Sequence, residues 1–277
     1  MRIVIHYDKA AQLVAPIRRR HPEVELSLCT DYTSLPSLLD RHQPEVLFTI
    51  RFAGTPGFPR AAIVQSPSLR WVSVGGSGTD HLAPWDSERL TVTNAAGVGA
   101  PTMAQFAIAA TLHFNLGLHE FAAAQRVRQW VPRPVASLEG RTMLILGLGH
   151  TGLAVARLAQ AHGLRVVGLR AHPAPAPCVD LVEPAAQLLA LLPEADFLVV
   201  AVPLTADTKG LIDEAALARL KPGAVLIDLS RGGVVRQAAV RAALAAGSLK
   251  GAALDVFETE PLPPDDPLWG KIGRAHV

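Results

Sequence analysis

The chain has 277 residues, 49% hydrophobic and 18% charged, which suits one large or two smaller folded domains and excludes a disordered chain. A formal charge of +2, from 26 basic and 24 acidic residues, leaves no electrostatic footprint for nucleic acid or an anionic membrane. No apolar run approaches the roughly 20 residues of a membrane span, and Cys29 and Cys178 match neither a disulfide framework nor a zinc spacing, so the expectation is a cytoplasmic protein with reduced thiols and no metal.

In chain order, strands are expected near residues 2–7, 24–28, 45–50 and 70–74, with a helix from about 10 to 19. Alternating strand and helix predicts a parallel sheet covered on both faces. Arg51 and Phe52, after the third strand, read as an exposed loop rather than the lining of a pocket. Pro101 then opens an Ala-rich run with apolar residues at Phe106, Ile108, Leu112 and Leu116, which predicts one long connecting helix between Gly99 and Gln125. The segment Trp130-Val131-Pro132-Arg133-Pro134 closes it. A second alternating series, with strands near 142–146, 165–169, 197–202, 224–229 and 251–254, predicts a second α/β domain. The prolines between Ala171 and Pro177 mark a rigid surface loop.

The strand at 142–146 runs directly into Gly147-Leu148-Gly149-His150-Thr151-Gly152 and then into a helical pattern. In this setting the three glycines have separate uses: Gly147 for a tight turn, Gly149 for close approach of a pyrophosphate, Gly152 for close packing of helix on strand. The helix amino terminus supplies free amides and a positive dipole end, with His150 flanking the phosphates. At the end of the next strand, where an NAD site would carry an acid for the ribose hydroxyls, stands Arg170. A guanidinium donates where a 2′-phosphate accepts, so NADP(H) is the expected cofactor, with NAD(H) also usable.

Four further segments carry a family resemblance: Pro203-Leu204-Thr205 with Thr208; Arg231-Gly232-Gly233; Asp255-Val256-Phe257 followed by Glu260-Pro261-Leu262-Pro263; and Val74-Gly75-Gly76-Ser77-Gly78-Thr79-Asp80. In this order they resemble the D-isomer-specific 2-hydroxyacid dehydrogenases, over nearly the whole chain. The resemblance implies a flavodoxin-like substrate domain, here residues 1–96, and a Rossmann-type dinucleotide domain, residues 97–270, both with parallel sheets. It implies reduction of a 2-keto acid to a D-2-hydroxy acid, glyoxylate and hydroxypyruvate being the first candidates, and a homodimer built on the cofactor domain around the long helix and Trp130.

By the same resemblance Arg231 grips the substrate carboxylate and polarises its keto oxygen, and the amides of Ser77 and Gly78 cradle the carboxylate. Glu260 orients the catalytic histidine, Asp255 bonds the nicotinamide carboxamide, and Pro203, Thr208 and the backbone around Leu229 line the cofactor. Two positions depart from the family pattern: Gln105 stands where an acid is usual, and Asp228 where Asn is usual. A larger departure follows Pro267-Leu268-Trp269. The family's proton donor lies in a Thr-Pro-His segment about ten residues further on, whereas this chain reads Gly270-Lys-Ile-Gly-Arg-Ala-His276-Val. These last seven residues are also the translation of a common sequencing-adapter string. The expectation is therefore a non-native tail at 271–277, a missing last strand and return helix, impaired turnover and poor solubility. Two other readings stand beside the main one: a non-catalytic nicotinamide-nucleotide sensor of the corepressor kind, and a dehydrogenase for a larger acid such as phosphoglycerate or an aryl pyruvate.

Overall fold

The computed structural model describes residues 1–52 and 55–270 and divides into two compact units after Val98, two residues beyond the expected boundary. The expectations placed on residues 271–277, His276 included, lie outside the described residues.

The first unit runs β1 (Arg2–His6), α1 (Ala11–Arg20), β2 (Glu25–Cys29), α2 (Leu35–His42), β3 (Val46–Thr49), α3 (Arg60–Gln65), β4 (Trp71–Val74) and β5 (Thr91–Asn94). Its five strands are all parallel, in the order β2-β1-β3-β4-β5. The order reverses between β1 and β3, which leaves a crevice at the carboxyl ends of these strands. Val4, Leu47 and Val72 in the central strands are fully buried and pack with Leu35, Leu39 and Ile63 of the helices. The edge strand β5, Thr-Val-Thr-Asn, is short and mostly exposed, so it carries no apolar alternation by which sequence could reveal it.

The second unit begins with α4 (Ala100–Leu116) and α5 (Leu118–Arg126), where one helix was expected. Gly117 separates them with φ +66°, and a Cβ there would lie 1.8 Å from Arg133 Nη2. A left-handed residue against a packed guanidinium ends α4, although the Ala-rich pattern continues on both sides. The unit then runs β6 (Thr142–Leu146), α6 (His150–Ala161), β7 (Arg165–Arg170), β8 (Leu181–Pro184), α7 (Leu188–Leu191), β9 (Phe197–Val200), α8 (Glu214–Leu217), β10 (Ala224–Asp228), α9 (Gln237–Ala246) and β11 (Leu249–Leu254). Six parallel strands take the order β11-β10-β9-β6-β7-β8. Every residue of β6, β9 and β10 is buried, as central strands covered on both faces must be. Leu144, Leu198 and Leu226 pack on one face, and Ile145, Val199 and Val225 on the other. Strand β8, Leu-Val-Glu-Pro, is a half-buried edge strand that the sequence pattern did not reveal. Among the described residues no helix is long and apolar enough to cross a membrane.

Candidate cofactor and substrate sites

In the second unit the glycine turn follows the carboxyl end of β6, and each glycine there meets a different steric demand. Gly147 has φ +102°, and a Cβ on it would stand 2.7 Å from the Ala201 carbonyl oxygen. At Gly152 a Cβ would come within 1.9 Å of the Gly147 carbonyl oxygen, so only glycine lets α6 close on the turn. Nothing lies within 4 Å of a Cβ built on Gly149, and that open space is where a phosphate can approach backbone. No side chain caps α6 at Gly149; the dipole end at exposed His150 and half-buried Thr151 faces the same space. These features fit a dinucleotide pyrophosphate. The Gly147 amide donates to the Leu169 carbonyl at 2.9 Å, which sets Arg170, the half-buried last residue of β7, beside the turn.

The loop after β9 brings Pro203 and Thr208 together: Thr208 Oγ1 donates to the Pro203 carbonyl at 2.6 Å and accepts from the Thr205 amide at 2.8 Å. The Thr208 hydroxyl therefore shapes the loop. Leu229 follows directly on β10. It is 7% exposed, packs in the core, and its amide donates to the Val200 carbonyl at 2.9 Å. The N–H of Leu229 is thus used by the sheet.

Beyond β10 the chain turns at Ser230 and Arg231. Asp228 Oδ1 accepts both the Ser230 amide, at 3.0 Å, and the Ser230 hydroxyl. Arg231 Nη1 donates to the Ser230 carbonyl at 2.7 Å, and the Arg231 carbonyl accepts from Val234 at 3.1 Å, so the half-buried guanidinium is held against its own turn. Burial pushes the Asp228 carboxyl up to about 7, the Ser230 hydrogen bonds oppose this, and the charge of Asp255 adds to it. The Asp255 amide in turn donates to the Asp228 carbonyl at 3.0 Å. Sequence marked Asp228 only as a departure; its burial is a tertiary property with no local signal. Glu260 Oε1 accepts the Phe257 amide at 3.0 Å, and Glu258 is tied to Gln237 by two hydrogen bonds. Arg231, Asp255 and Glu260 are thus gathered at the carboxyl ends of β10 and β11.

In the first unit Ser77 and Gly78 follow β4. The Gly75 amide donates to the Thr49 carbonyl at 2.9 Å, and Asn94 Nδ2 donates to the Ser77 carbonyl at 2.7 Å. These bonds fix the loop through other atoms than the Ser77 and Gly78 amides. A cavity of about 650 Å³ opens at the carboxyl ends of β1, β2 and β3, lined among others by Lys9, Tyr32, Arg51 and Phe52. Phe52 therefore departs from the exposed loop expected of it: its ring stacks on Tyr32 at 4.7 Å, and its amide donates to the Tyr32 hydroxyl at 2.6 Å. Beside them His6 is fully buried, with Nδ1 2.8 Å from Thr49 Oγ1, and burial lowers its pKa to about 4. Asp31, whose carboxylate is held at about 2 by hydrogen bonds from Thr33 and Ser34, braces the rim.

Comparison with known proteins gives a consistent picture. The family model described as D-isomer specific 2-hydroxyacid dehydrogenase, NAD binding domain, matches residues 108–272. A glyoxylate reductase of Korarchaeum cryptofilum is 37% identical over 220 residues, 73% of this chain and 64% of that protein. A D-3-phosphoglycerate dehydrogenase of Mycobacterium bovis is 35% identical over 214 residues, 75% of this chain and 40% of the relative. The matches thus span less than two thirds of either relative. Among solved structures, a D-isomer specific 2-hydroxyacid dehydrogenase from Xanthobacter autotrophicus Py2 in complex with NADPH and MES is 27% identical. It has a TM-score of 0.83, covering 99% of this chain and 87% of that one.

Proposed function

The chain belongs to the D-isomer-specific 2-hydroxyacid dehydrogenase family, and on that premise we propose that it serves the NADPH-dependent reduction of a short 2-keto acid to a D-2-hydroxy acid, with NADH as the poorer cofactor. Glyoxylate and hydroxypyruvate are the substrates we assign, in line with the glyoxylate reductase relative. The observation that carries the reading is the grouping of Arg231, Asp255 and Glu260 at the carboxyl edge of the same sheet whose β6 turn offers the phosphate cradle.

When bound, the nicotinamide cofactor supplies the hydride that reduces the keto carbon. The chain's own residues do the rest. Gly147, Gly149 and Gly152 let backbone and the α6 dipole meet the pyrophosphate, with His150 and Thr151 at the helix start. Arg170 donates to the 2′-phosphate, and the Pro203 and Thr208 loop, the backbone around Leu229, and Asp255 hold the nicotinamide half. Arg231 binds the substrate carboxylate and withdraws charge from the keto oxygen as it becomes an alkoxide. In the first unit the amides of Ser77 and Gly78 are proposed as carboxylate donors. Glu260 orients a histidine that delivers the proton to that oxygen.

We also propose a homodimer formed by the second unit. Trp130 is 91% exposed and Val127 70%, an apolar surface of the kind that a partner covers. The separate thiols of Cys29 and Cys178 suit the cytoplasm. The test of the reaction is keto-acid-dependent oxidation of NADPH against NADH. A preference for NADPH that falls in Arg170→Ala supports the reading, and a clear preference for NADH overturns the cofactor assignment.

A further inference from the structure

We infer that the second unit holds a phosphate-class oxyanion at the amino-terminal edge of its sheet, in the recess where Arg141, Lys221 and Lys250 converge beside Asn115. This is the edge opposite the glycine turn, since Arg141 precedes β6, Lys221 precedes β10 and Lys250 opens β11. The recess measures about 80 Å³, and a water needs only roughly 10–15 Å³ of such space, so a tetrahedral ion has room.

Charge is out of balance there. Asp196 is the one carboxylate among the described residues lining the recess. Its Oδ2 is already taken by the Thr142 amide at 2.8 Å and by Lys221 Nζ at 3.0 Å. Arg141 and Lys250 have no carboxylate within 4 Å among the described residues. Burial and the nearby Arg133 and Arg141 guanidinium groups push the Lys250 ammonium down. Burial, His113, Lys250 and Arg133 do the same to His119, which stacks on His113 at 5.1 Å. Arg133 itself pairs with Glu120 through Nη1, yet its buried Nε has no acceptor. Cations packed this closely, with buried donors left over, call for acceptor oxygens.

Asn115 refines the chemistry. It is 7% exposed, and its Nδ2 donates to the Ala136 carbonyl at 2.7 Å, which leaves Oδ1 buried without a donor. An occupant must therefore offer one O–H as well as several acceptor oxygens. Hydrogenphosphate does; sulfate near neutral pH does not.

The test is calorimetric titration of the full chain with inorganic phosphate at constant ionic strength, with NADPH present to fill the glycine turn. The expected result is one saturable site, at least tenfold tighter for phosphate than for sulfate, and at least tenfold weaker in both Lys250→Gln and Arg141→Gln. Circular dichroism checks that the variants fold, and the phosphate-to-sulfate comparison needs no variant. Glycerol 2-phosphate, titrated near pH 5 where its monoanion keeps one P–O–H, separates the sources: binding that the same two variants weaken assigns a phosphomonoester, and no binding assigns the free ion. Absence of saturable binding, equal affinity for sulfate, or unchanged affinity in both variants would overturn the inference. None of these readouts requires turnover.

Discussion

Gly232 lies so close to Phe257 that a Cβ on it would stand 1.8 Å from the Phe257 carbonyl oxygen. This approach locks the turn carrying Arg231 against the segment carrying Asp255 and Glu260. Since backbone cannot yield as a flexible side chain can, Gly232→Ala must displace one segment or the other. The expected cost is about 1–3 kcal/mol of stability, as for an overpacked interior, read by chemical denaturation. The displaced Arg231 also raises KM for the keto acid. A variant with unchanged stability and KM would show that the approach is not needed.

Arg170 stands where an acceptor for ribose hydroxyls would otherwise be. A hydrogen bond to a charged partner contributes about 1.5–3 kcal/mol, so Arg170→Ala should weaken NADPH binding roughly tenfold to a hundredfold and leave NADH binding nearly unchanged. Fluorescence titration with each cofactor measures the ratio directly.

Asp228 makes stability depend on pH in a definite direction. Its folded pKa, about 7, exceeds the ordinary value of 3.8, so between those values the folded state holds a proton that the unfolded state has released. Stability contributed by this group is full below pH 3.8 and falls as pH rises, the loss being complete above 7. Asn keeps an oxygen for the Ser230 hydrogen bonds and cannot ionise. Asp228→Asn should therefore be more stable than the wild type by a few kcal/mol at pH 8, with the difference shrinking toward pH 4. Parallel unfolding curves for the two proteins across this range would contradict the assignment.

His6 has the opposite shift and acts inside the same pH window. Its pKa is lowered from 6.5 to about 4, chiefly by burial, so the unfolded state binds the proton first as pH falls. The stability contributed by this group should decline from pH 6.5 and level off below 4, by an amount on the order of 2–3 kcal/mol. Because Asp228 acts in the opposite sense over this range, the check is the difference in urea midpoint between His6→Gln and the wild type, which should move in favour of the variant as pH falls from 7 to 4.

The parts legible in the sequence are those whose cause is local. The buried runs of β6, β9 and β10 are continuous and apolar because both faces are covered, and the glycines at 147, 149 and 152 sit in a strand-turn-helix context that gives each a use. Strands β5 and β8 carry no such signal because a short edge strand needs no apolar alternation. The break at Gly117 is masked by helix-forming residues on both sides, and it shows only in the left-handed conformation of that one residue. Asp228 is marked in the sequence only by standing where Asn is usual, and its burial is a tertiary property. Arg141, Lys221 and Lys250 come from three separate strand starts, and only the sheet places them together.

Hydrogen transfer to the keto carbon with Arg231 holding the acid can be followed even at very low turnover. Protein incubated with hydroxypyruvate and NADPH deuterated at nicotinamide C4 is analysed by mass spectrometry for glycerate. The prediction is D-glycerate carrying deuterium at C2 in the wild type, with none formed by Arg231→Gln. Unlabelled glycerate, equal labelling by the Arg231 variant, or no product from protein that binds NADPH would contradict it.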